Sequence, residues 1–132
     1  MEKQEWLWGT VIWNMFDFGS AIRDEGGTKG KNAKGLASYD RRVKKDAFYF
    51  YKACWGREPF VHVNGRRYEK RWKDTIDIKV YSNQKSVRLY VNGEFFEEQC
   101  GERIFLFKGI RLLEGENRIE ARCGGYSDEM IV

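Results

Sequence analysis

The sequence has little of several features that stabilise or anchor small proteins. Its 132 residues include three cysteines, one proline and one histidine. An odd number of cysteines without CxxC or metal-ligand spacing predicts free thiols or small buried side chains, and neither a disulfide framework nor a metal site. No apolar run approaches the roughly 18 residues of a membrane span. No secretory leader is visible, because residues 2–5 are mostly charged.

The single histidine gives little support to a catalytic triad. His62 alternates with Val61 and Val63, so the pattern predicts an outward-facing strand residue. The glycines of residues 19–35 are not followed by the Lys-Ser/Thr of a phosphate-binding loop. The sequence therefore predicts no cofactor and no metal.

The chain is basic, with a net charge of +4 and a pI of about 9.0. Lysine and arginine are densest in residues 41–45 and 66–71. A basic cluster can bind nucleic acid, but here the cations are interleaved with carboxylates along the whole chain. We interpret both clusters as solvated loop ends and a helix start, and we expect neither a nucleic-acid nor a membrane partner.

The N-terminal third predicts a strand, a long loop and a helix. Residues 1–6 are interpreted as the end of a helix. Residues 7–18 are apolar without alternation, which is typical of a strand buried on both faces of a parallel sheet. Residues 19–40 predict a glycine-rich loop, and residues from about 42 to 55 a helix with two apolar faces, capped by Asp40 and ended by Gly56. No second strand of the same kind follows, so this part predicts a remnant of a larger body.

From Pro59 onward the period changes to two. Short alternating strands are separated by turns every 8–12 residues, with Asn64-Gly65 and Asn92-Gly93 as tight-turn pairs. Residues 104–107 and 110–113 are predicted as separate strands. The fold class is therefore mainly β, with an immunoglobulin-like antiparallel β-sandwich at residues 57–132 that follows the remnant at residues 1–56.

Two segments carry a resemblance to a known family. Residues 8–18, WGTVIWNMFDF, resemble the eighth barrel strand of family 2 glycoside hydrolases, the β-galactosidase and β-glucuronidase group. Residues 32–55 resemble the loop and last helix of the same TIM barrel, and the sandwich resembles the immunoglobulin-like domain that follows it. The resemblance implies a C-terminal part of a bacterial β-galactosidase-like enzyme that hydrolyses terminal β-glycosides with retention.

The resemblance also implies which residues touch the sugar. The family's two catalytic glutamates would lie upstream of this chain, so no catalytic residue is assigned here and the isolated chain is expected to be inactive. Trp13 matches a tryptophan that forms a wall of the sugar pocket. Asn32 and Lys34 resemble an Asn-x-Lys motif that binds the carboxylate of glucuronic acid, although similar loops occur in relatives called β-galactosidases.

Several alternatives stay open at this point. The specificity implied by Asn32 and Lys34 is either galactoside or glucuronide. The sandwich is alternatively a carbohydrate-binding module with Trp72, Tyr81 or Tyr90 as its platform, although cross-strand aromatic pairs explain such residues more simply, or a purely structural spacer. Residues 7–18 are expected to fold back on the chain or to pair with a second copy. The compartment, bacterial cytoplasm or periplasm, stays undetermined.

Overall fold

The computed structural model describes residues 4–68 and 70–132. Its chain divides into two compact units, Met1–Lys45 and Asp46–Val132. Within the described residues no helix is long and apolar enough to cross a membrane. The predicted domain boundary at residue 56 stays a prediction, and in this chain the helix belongs to the second unit.

The first unit is built on a β-hairpin that the sequence did not predict. Strands β1 (Phe18–Glu25) and β2 (Thr28–Asn32) pair antiparallel across Gly26-Gly27. Both glycines have positive φ, 63° and 72°, which is the geometry of a two-residue hairpin turn. The prediction of a loop over residues 19–40 was wrong for this part, because the glycines form a tight turn and a paired strand.

The predicted strand at residues 7–18 was also wrong. Regular pairing begins only at Phe18, and before it only Phe16 forms a bridge, to Ala37. Much of this segment is exposed, including Trp8, Val11 and Trp13. A two-sided buried strand needs neighbours on both edges and layers on both faces, whereas among the described residues only 35–37 pair with this segment, along residues 14–17. Residues 4–6 are not helical, and residues 1–3 lie outside the described residues.

Helix α1 spans Asp46–Trp55 and begins later than predicted. The cause lies in the preceding turn, where the Asp40 side chain accepts from the backbone N–H of Arg42 and the hydroxyl of Ser38. Asp40 therefore caps a turn and not the helix. The end is as predicted, since the Gly56 N–H donates to the Lys52 carbonyl at 2.7 Å.

The second unit confirms the antiparallel β-sandwich. One sheet has the order β3-β4-β7 and the other β6-β5-β8-β9, with all pairs antiparallel. The strands are β3 (Val61–Val63), β4 (Thr75–Ser82), β5 (Ser86–Val91), β6 (Glu94–Cys100), β7 (Arg103–Arg111), β8 (Arg118–Cys123) and β9 (Tyr126–Ile131). The three- and four-stranded sheets, and the crossing of β7 to the first sheet, give an immunoglobulin-like sandwich.

One predicted strand pair is a single strand. Residues 104–107 and 110–113 were predicted as separate, but β7 continues from Arg103 to Arg111. The register against β4 shifts between Ile76 and Ile78. Gly109 has a φ of 68° and its N–H donates to Asp77 Oδ1 at 3.0 Å. The glycine therefore marks a bulge inside one strand and not a turn between two.

The two predicted tight turns have different outcomes. Asn92 and Gly93 have φ of 53° and 86° and join β5 to β6 directly, as predicted. Gly65 also has a positive φ, 92°. However, β3 and β4 are joined by the whole of residues 64–74, so Asn64-Gly65 does not form a hairpin turn.

The sandwich core is formed by side chains from both sheets. Its fully buried members come from β3, β4, β5, β7 and β8: Val63, Ile78, Val80, Val87, Leu89, Phe105, Phe107, Ile110 and Ile119. The alternating pattern predicted the inward positions of β3, β4, β5 and β8, whereas those of β7 were not predicted. None of the three cysteines, all of which are among the described residues, forms a disulfide.

His62 is buried, and the prediction of an outward-facing residue was wrong. Only 4% of the residue is exposed. Its ring stacks on Tyr49 of α1, with 3.5 Å between ring centroids, and Nδ1 lies 3.3 Å from Asp128 Oδ2. The alternation correctly predicted that the His62 side chain points away from the sandwich core. It could not show that a helix covers the opposite face of β3.

Candidate functional site

The first unit is organised around a buried carboxylate, Asp17. Its side chain is 2% exposed, and Oδ1 accepts from Lys45 Nζ at 2.5 Å and from the Gly35 N–H at 3.0 Å. Lys31 Nζ lies 3.6 Å from Oδ2. Burial alone raises the pKa of Asp17, but the hydrogen bond and charge of Lys45, with the Gly35 N–H and Lys31, outweigh it and hold the pKa below its usual range.

Gly35 is required by a close approach of two backbone segments. Residues 14–17 and 35–37 exchange hydrogen bonds, including Leu36 N–H to the Asn14 carbonyl and Asp17 N–H to the Ala37 carbonyl, both at 2.9 Å. A Cβ at Gly35 would lie 2.1 Å from the Asp17 nitrogen. Residue 35 therefore has no room for a side chain, and the segment before Asp17 is fixed beside the loop after β2.

Trp13 stands at the start of the paired segment with most of its surface free. It is 73% exposed, and its ring meets Phe18 edge to face with centroids 6.0 Å apart. Phe18 lies opposite Asn32 in the β1–β2 register, and the peptide bond from Trp13 to Asn14 is cis. Phe18 thus connects the Trp13 ring to the strand end where the Asn-x-Lys motif begins.

Asn32 and Lys34 differ in accessibility. Asn32 is buried at the end of β2, and its Oδ1 accepts from the backbone N–H of Lys34 at 3.0 Å. The Lys34 side chain is half exposed, and its Nζ lies 4.0 Å from Glu25 Oε1. An exposed ammonium and an exposed indole in the same unit suit a sugar that carries a negative charge, because a ring can pack on C–H groups while a cation binds the anion.

The acids of the first unit support the structure and do not form a catalytic pair. Four of these acids each accept a hydrogen bond from a backbone N–H of the same unit. The pairs are Asp17 with Gly35, Asp24 with Gly30, Glu25 with Ala33, and Asp40 with Arg42. Among residues 4–68 and 70–132, no group of three or more His, Cys, Asp or Glu side chains is arranged to hold a metal.

The roles of Lys45, Glu25 and Gly35 were missed by the sequence reasoning. Lys45 was grouped with a solvated basic cluster, whereas its Nζ bonds both Asp17 and the Ala33 carbonyl. The sequence did contain a signal for Asp17, because it lies within an apolar run and is therefore expected to be buried. A buried carboxylate requires a cation, so a lysine or arginine partner could have been expected. The spacing of 28 residues hid which lysine supplies it.

The three aromatic residues considered for a sugar platform do not share one face. Tyr81 lies on β4 of the three-stranded sheet and meets Phe50 edge to face. Tyr90 lies on β5 of the four-stranded sheet, directly opposite Phe95 in the register, with Arg122 over its ring. The interpretation as a cross-strand aromatic pair is confirmed for Tyr90. Trp72 is 96% exposed in the connection before β4.

Comparison with known proteins finds relatives that are named β-glucuronidase. No protein-family model matches the chain. A β-glucuronidase of Bacteroides fragilis is 38% identical over 136 residues, which covers 98% of this chain and 20% of that protein. A putative β-glucuronidase of Formosa agariphila is 40% identical over 97 residues, covering 70% of this chain and 12% of that protein.

Solved structures agree with these relatives. An FMN-binding β-glucuronidase from Faecalibacterium prausnitzii L2-6 has 46% identity and a TM-score of 0.91, over 96% of this chain and 20% of that one. A putative β-galactosidase from Bacteroides fragilis has 34% identity and a TM-score of 0.83, over 90% and 19%. These relatives are named as glycoside hydrolases. The chain is similar to one part of these β-glucuronidases and of the putative β-galactosidase, and it spans about a fifth of the length of the first relatives.

Proposed function

We propose that the full-length protein hydrolyses terminal β-glycosides with retention, and that this chain supplies one side of the sugar pocket and an accessory sandwich. In this proposal residues 1–56 complete a barrel and residues 57–132 form the accessory domain. The observation that carries it is the exposed Trp13 ring, connected through Phe18 to the strand end that bears Asn32. The relatives' names agree with it, whereas a free-standing binding or spacer module is not favoured.

Retaining hydrolysis uses two carboxyl groups about 5–5.5 Å apart, one as acid/base and one as nucleophile. The acids of the first unit are engaged with their own chain, so both catalytic groups are assigned to the remainder of the protein. This chain's contribution is to bind and orient the sugar. The isolated chain is therefore expected to be inactive on aryl β-glycosides.

Trp13 is proposed to pack its ring on the C–H face of the terminal pyranose. Its exposed face is available for this contact, and its edge contact with Phe18 fixes the ring orientation. The apolar residues near it, Trp8 and Val11, are exposed in this chain. In the full-length protein we expect the remainder of the barrel to cover them.

Lys34 is proposed to select the charge of the sugar. Its half-exposed ammonium suits the carboxylate of a uronic acid, and the names of the B. fragilis and F. prausnitzii relatives agree with a glucuronide. A neutral galactoside is the alternative substrate, because one of the similar structures is a putative β-galactosidase. Asn32 is proposed to serve the same subsite from its buried position behind Lys34.

The test compares aryl β-glucuronide and aryl β-galactoside turnover by the full-length protein and its Lys34→Ala variant. Loss of one charge-assisted contact is expected to lower kcat/KM for the glucuronide by about 10- to 100-fold and to leave the galactoside within about twofold. Lys29→Ala, a lysine of the same hairpin, is the matched control. Equal glucuronide turnover by Lys34→Ala and the unaltered protein would remove the carboxylate role, and absence of turnover on both substrates would remove the glycosidase proposal.

A second candidate function is the binding of flavin mononucleotide by the sandwich unit. A groove of about 570 Å³ is lined by residues 70–74 and 112–115, with Trp72 projecting into solvent between Arg71 and Lys73. Arg71 Nε is buried and has no hydrogen-bond partner among the described residues. An indole face and an arginine whose Nε has no partner suit a planar ring with a phosphate, and the F. prausnitzii relative is described as FMN-binding.

Quenching of flavin fluorescence on titration with the protein tests this candidate. Trp72→Ala is expected to weaken binding about tenfold, since a stacked ring contributes on the order of 1–3 kcal/mol. Trp55→Ala is the control, because Trp55 is also exposed but lies on α1. Equal affinity of the two variants, or no quenching by the unaltered protein, would reject the groove as the flavin site.

A further inference from the structure

The loop that carries Lys34 is held almost entirely by side chains. The backbone N–H groups of residues 33, 34 and 35 donate to Glu25 Oε2, Asn32 Oδ1 and Asp17 Oδ1, at 2.9, 3.0 and 3.0 Å. Three successive donors therefore find three different side-chain acceptors. Such a loop has one geometry as long as its acceptors stay in place.

The loop is also bonded on both sides of Lys34 by one of these acceptors, Asp17, together with Lys45. Asp17 accepts from the residue after it, Gly35, and Asp17 is bonded to Lys45. Lys45 Nζ in turn donates to the carbonyl of the residue before it, Ala33, at 2.7 Å. The buried Asp17–Lys45 pair thus connects the two peptide groups that flank Lys34.

Glu25 contacts both the backbone next to Lys34 and the charged Lys34 side chain. One oxygen, Oε2, accepts from the Ala33 N–H, while the other, Oε1, lies 3.8 Å from Arg23 Nη1 and 4.0 Å from Lys34 Nζ. The Glu25 side chain is about one-quarter exposed and that of Lys34 about half. Glu25 is therefore fixed by a hydrogen bond in the position where it partly neutralises Lys34, and an anionic ligand that approaches Lys34 meets this carboxylate as a like charge.

We propose that Glu25 is a positioning residue that sets the preference of the site for anionic over neutral sugars, with Asp17 and Lys45 holding the loop in which it acts. This proposal rests on the proposed role of Lys34 in sugar binding. Glu25 does two things: its hydrogen bond to Ala33 orients Lys34, and its charge weakens the attraction of Lys34 for a carboxylate. The site therefore binds a sugar acid less tightly than the lysine alone would.

The test separates the two effects with Glu25→Gln. A glutamine keeps an oxygen that can accept from the Ala33 N–H and removes the charge. In the full-length protein, KM for an aryl β-glucuronide is expected to fall about three- to tenfold, since one screened charge about 5 Å away contributes on the order of 1 kcal/mol. KM for an aryl β-galactoside and both kcat values are expected to change by less than about twofold. Calorimetric titration with glucuronate and galactose makes the same comparison without turnover.

Asp24→Asn is the matched control, since it removes the same charge one residue away, from a side chain that accepts from Gly30 and not from residues 33–35. The double variant Glu25→Gln with Lys34→Ala shows whether Glu25 acts through Lys34, and the fall in KM is expected to disappear in it. An unchanged glucuronide KM in Glu25→Gln, an equal change for both sugars, or a fall that persists without Lys34 overturns the proposal. If Lys34→Ala alone changes the binding of neither sugar, the proposed role of Lys34 fails, which is a separate result.

Discussion

Asp128 is a partly buried carboxylate that connects three segments of the sandwich unit. Its Oδ2 accepts from the Val63 N–H at 2.8 Å, lies 3.3 Å from His62 Nδ1 and is paired with Arg66. Burial alone raises the pKa of Asp128, but the hydrogen bonds from His62, Arg66 and Val63 outweigh it and lower the pKa from 3.8 to about 2. A single carboxylate therefore connects β9 to β3 and to the connection that follows β3.

The contribution of the Asp128 charge to the free energy of unfolding follows from this pKa shift. A difference of nearly two pH units corresponds to about 2.4 kcal/mol. About a quarter of the Asp128 side chain is exposed, so solvent screening reduces the contribution to about 1–2 kcal/mol. Because the pKa is lower in the folded state, this stabilisation is complete above the unfolded-state value near 4. It is lost as the pH falls toward 2.

The perturbation is Asp128→Asn, measured by guanidinium denaturation of the protein at several pH values. We expect the free energy of unfolding at pH 7 to fall by about 1–2 kcal/mol, and the difference from the unaltered protein to shrink as the pH approaches 2. Glu129→Gln is the control, since Glu129 is the next residue of β9, pairs with Arg118 on the surface and should cost less than about 0.5 kcal/mol. A loss in Asp128→Asn that is the same at pH 7 and pH 2.5 would refute the electrostatic reasoning.

Two further predictions concern the first unit and the thiols. Gly35→Ala places a methyl group 2.1 Å from the Asp17 nitrogen and 2.2 Å from the Phe16 carbonyl carbon. It is therefore expected to destabilise the first unit by about 3 kcal/mol and to speed proteolysis within residues 1–45, whereas Gly9→Ala, with nothing within 4 Å, should not. Cys100 is exposed, and burial raises the pKa of the Cys123 thiol, so an aromatic disulfide reagent should label Cys100 first. Labelling of Cys123 at an equal rate without denaturant would contradict the structure.

The sandwich was largely predictable because its signals are local. The alternation of apolar residues in β4, β5 and β8 placed Ile78, Leu89 and Ile119 in the core. Asn92-Gly93 marked a turn that the structure contains. The single strand β7 was predicted as two because Gly109 is as compatible with a bulge as with a turn, and only pairing with β4 decides between them.

The candidate site was predictable only in part. Residues 13, 32 and 34 came from a resemblance to a family, and their roles stay proposals. The sequence pattern could not predict the hydrogen bonds that hold the loop around these residues. Asp17 bonds to Gly35 and Lys45, which lie 18 and 28 residues away in the chain. The hairpin at residues 18–32 was missed for a related reason, since its strands are polar and carry no alternation that a local pattern detects.

The amino-acid order by itself determined the elements whose cause is local. Alternating apolar residues form the sandwich strands, an Asn-Gly pair turns β5 into β6, and Gly56 ends the helix. Tertiary structure alone decided which polar groups are buried. His62 lies under Tyr49, Asp128 reaches across to β3, and Asp17 lies beneath Lys45. A buried charge is stable only where distant segments bring it a partner, and residue spacing does not encode which segments those are.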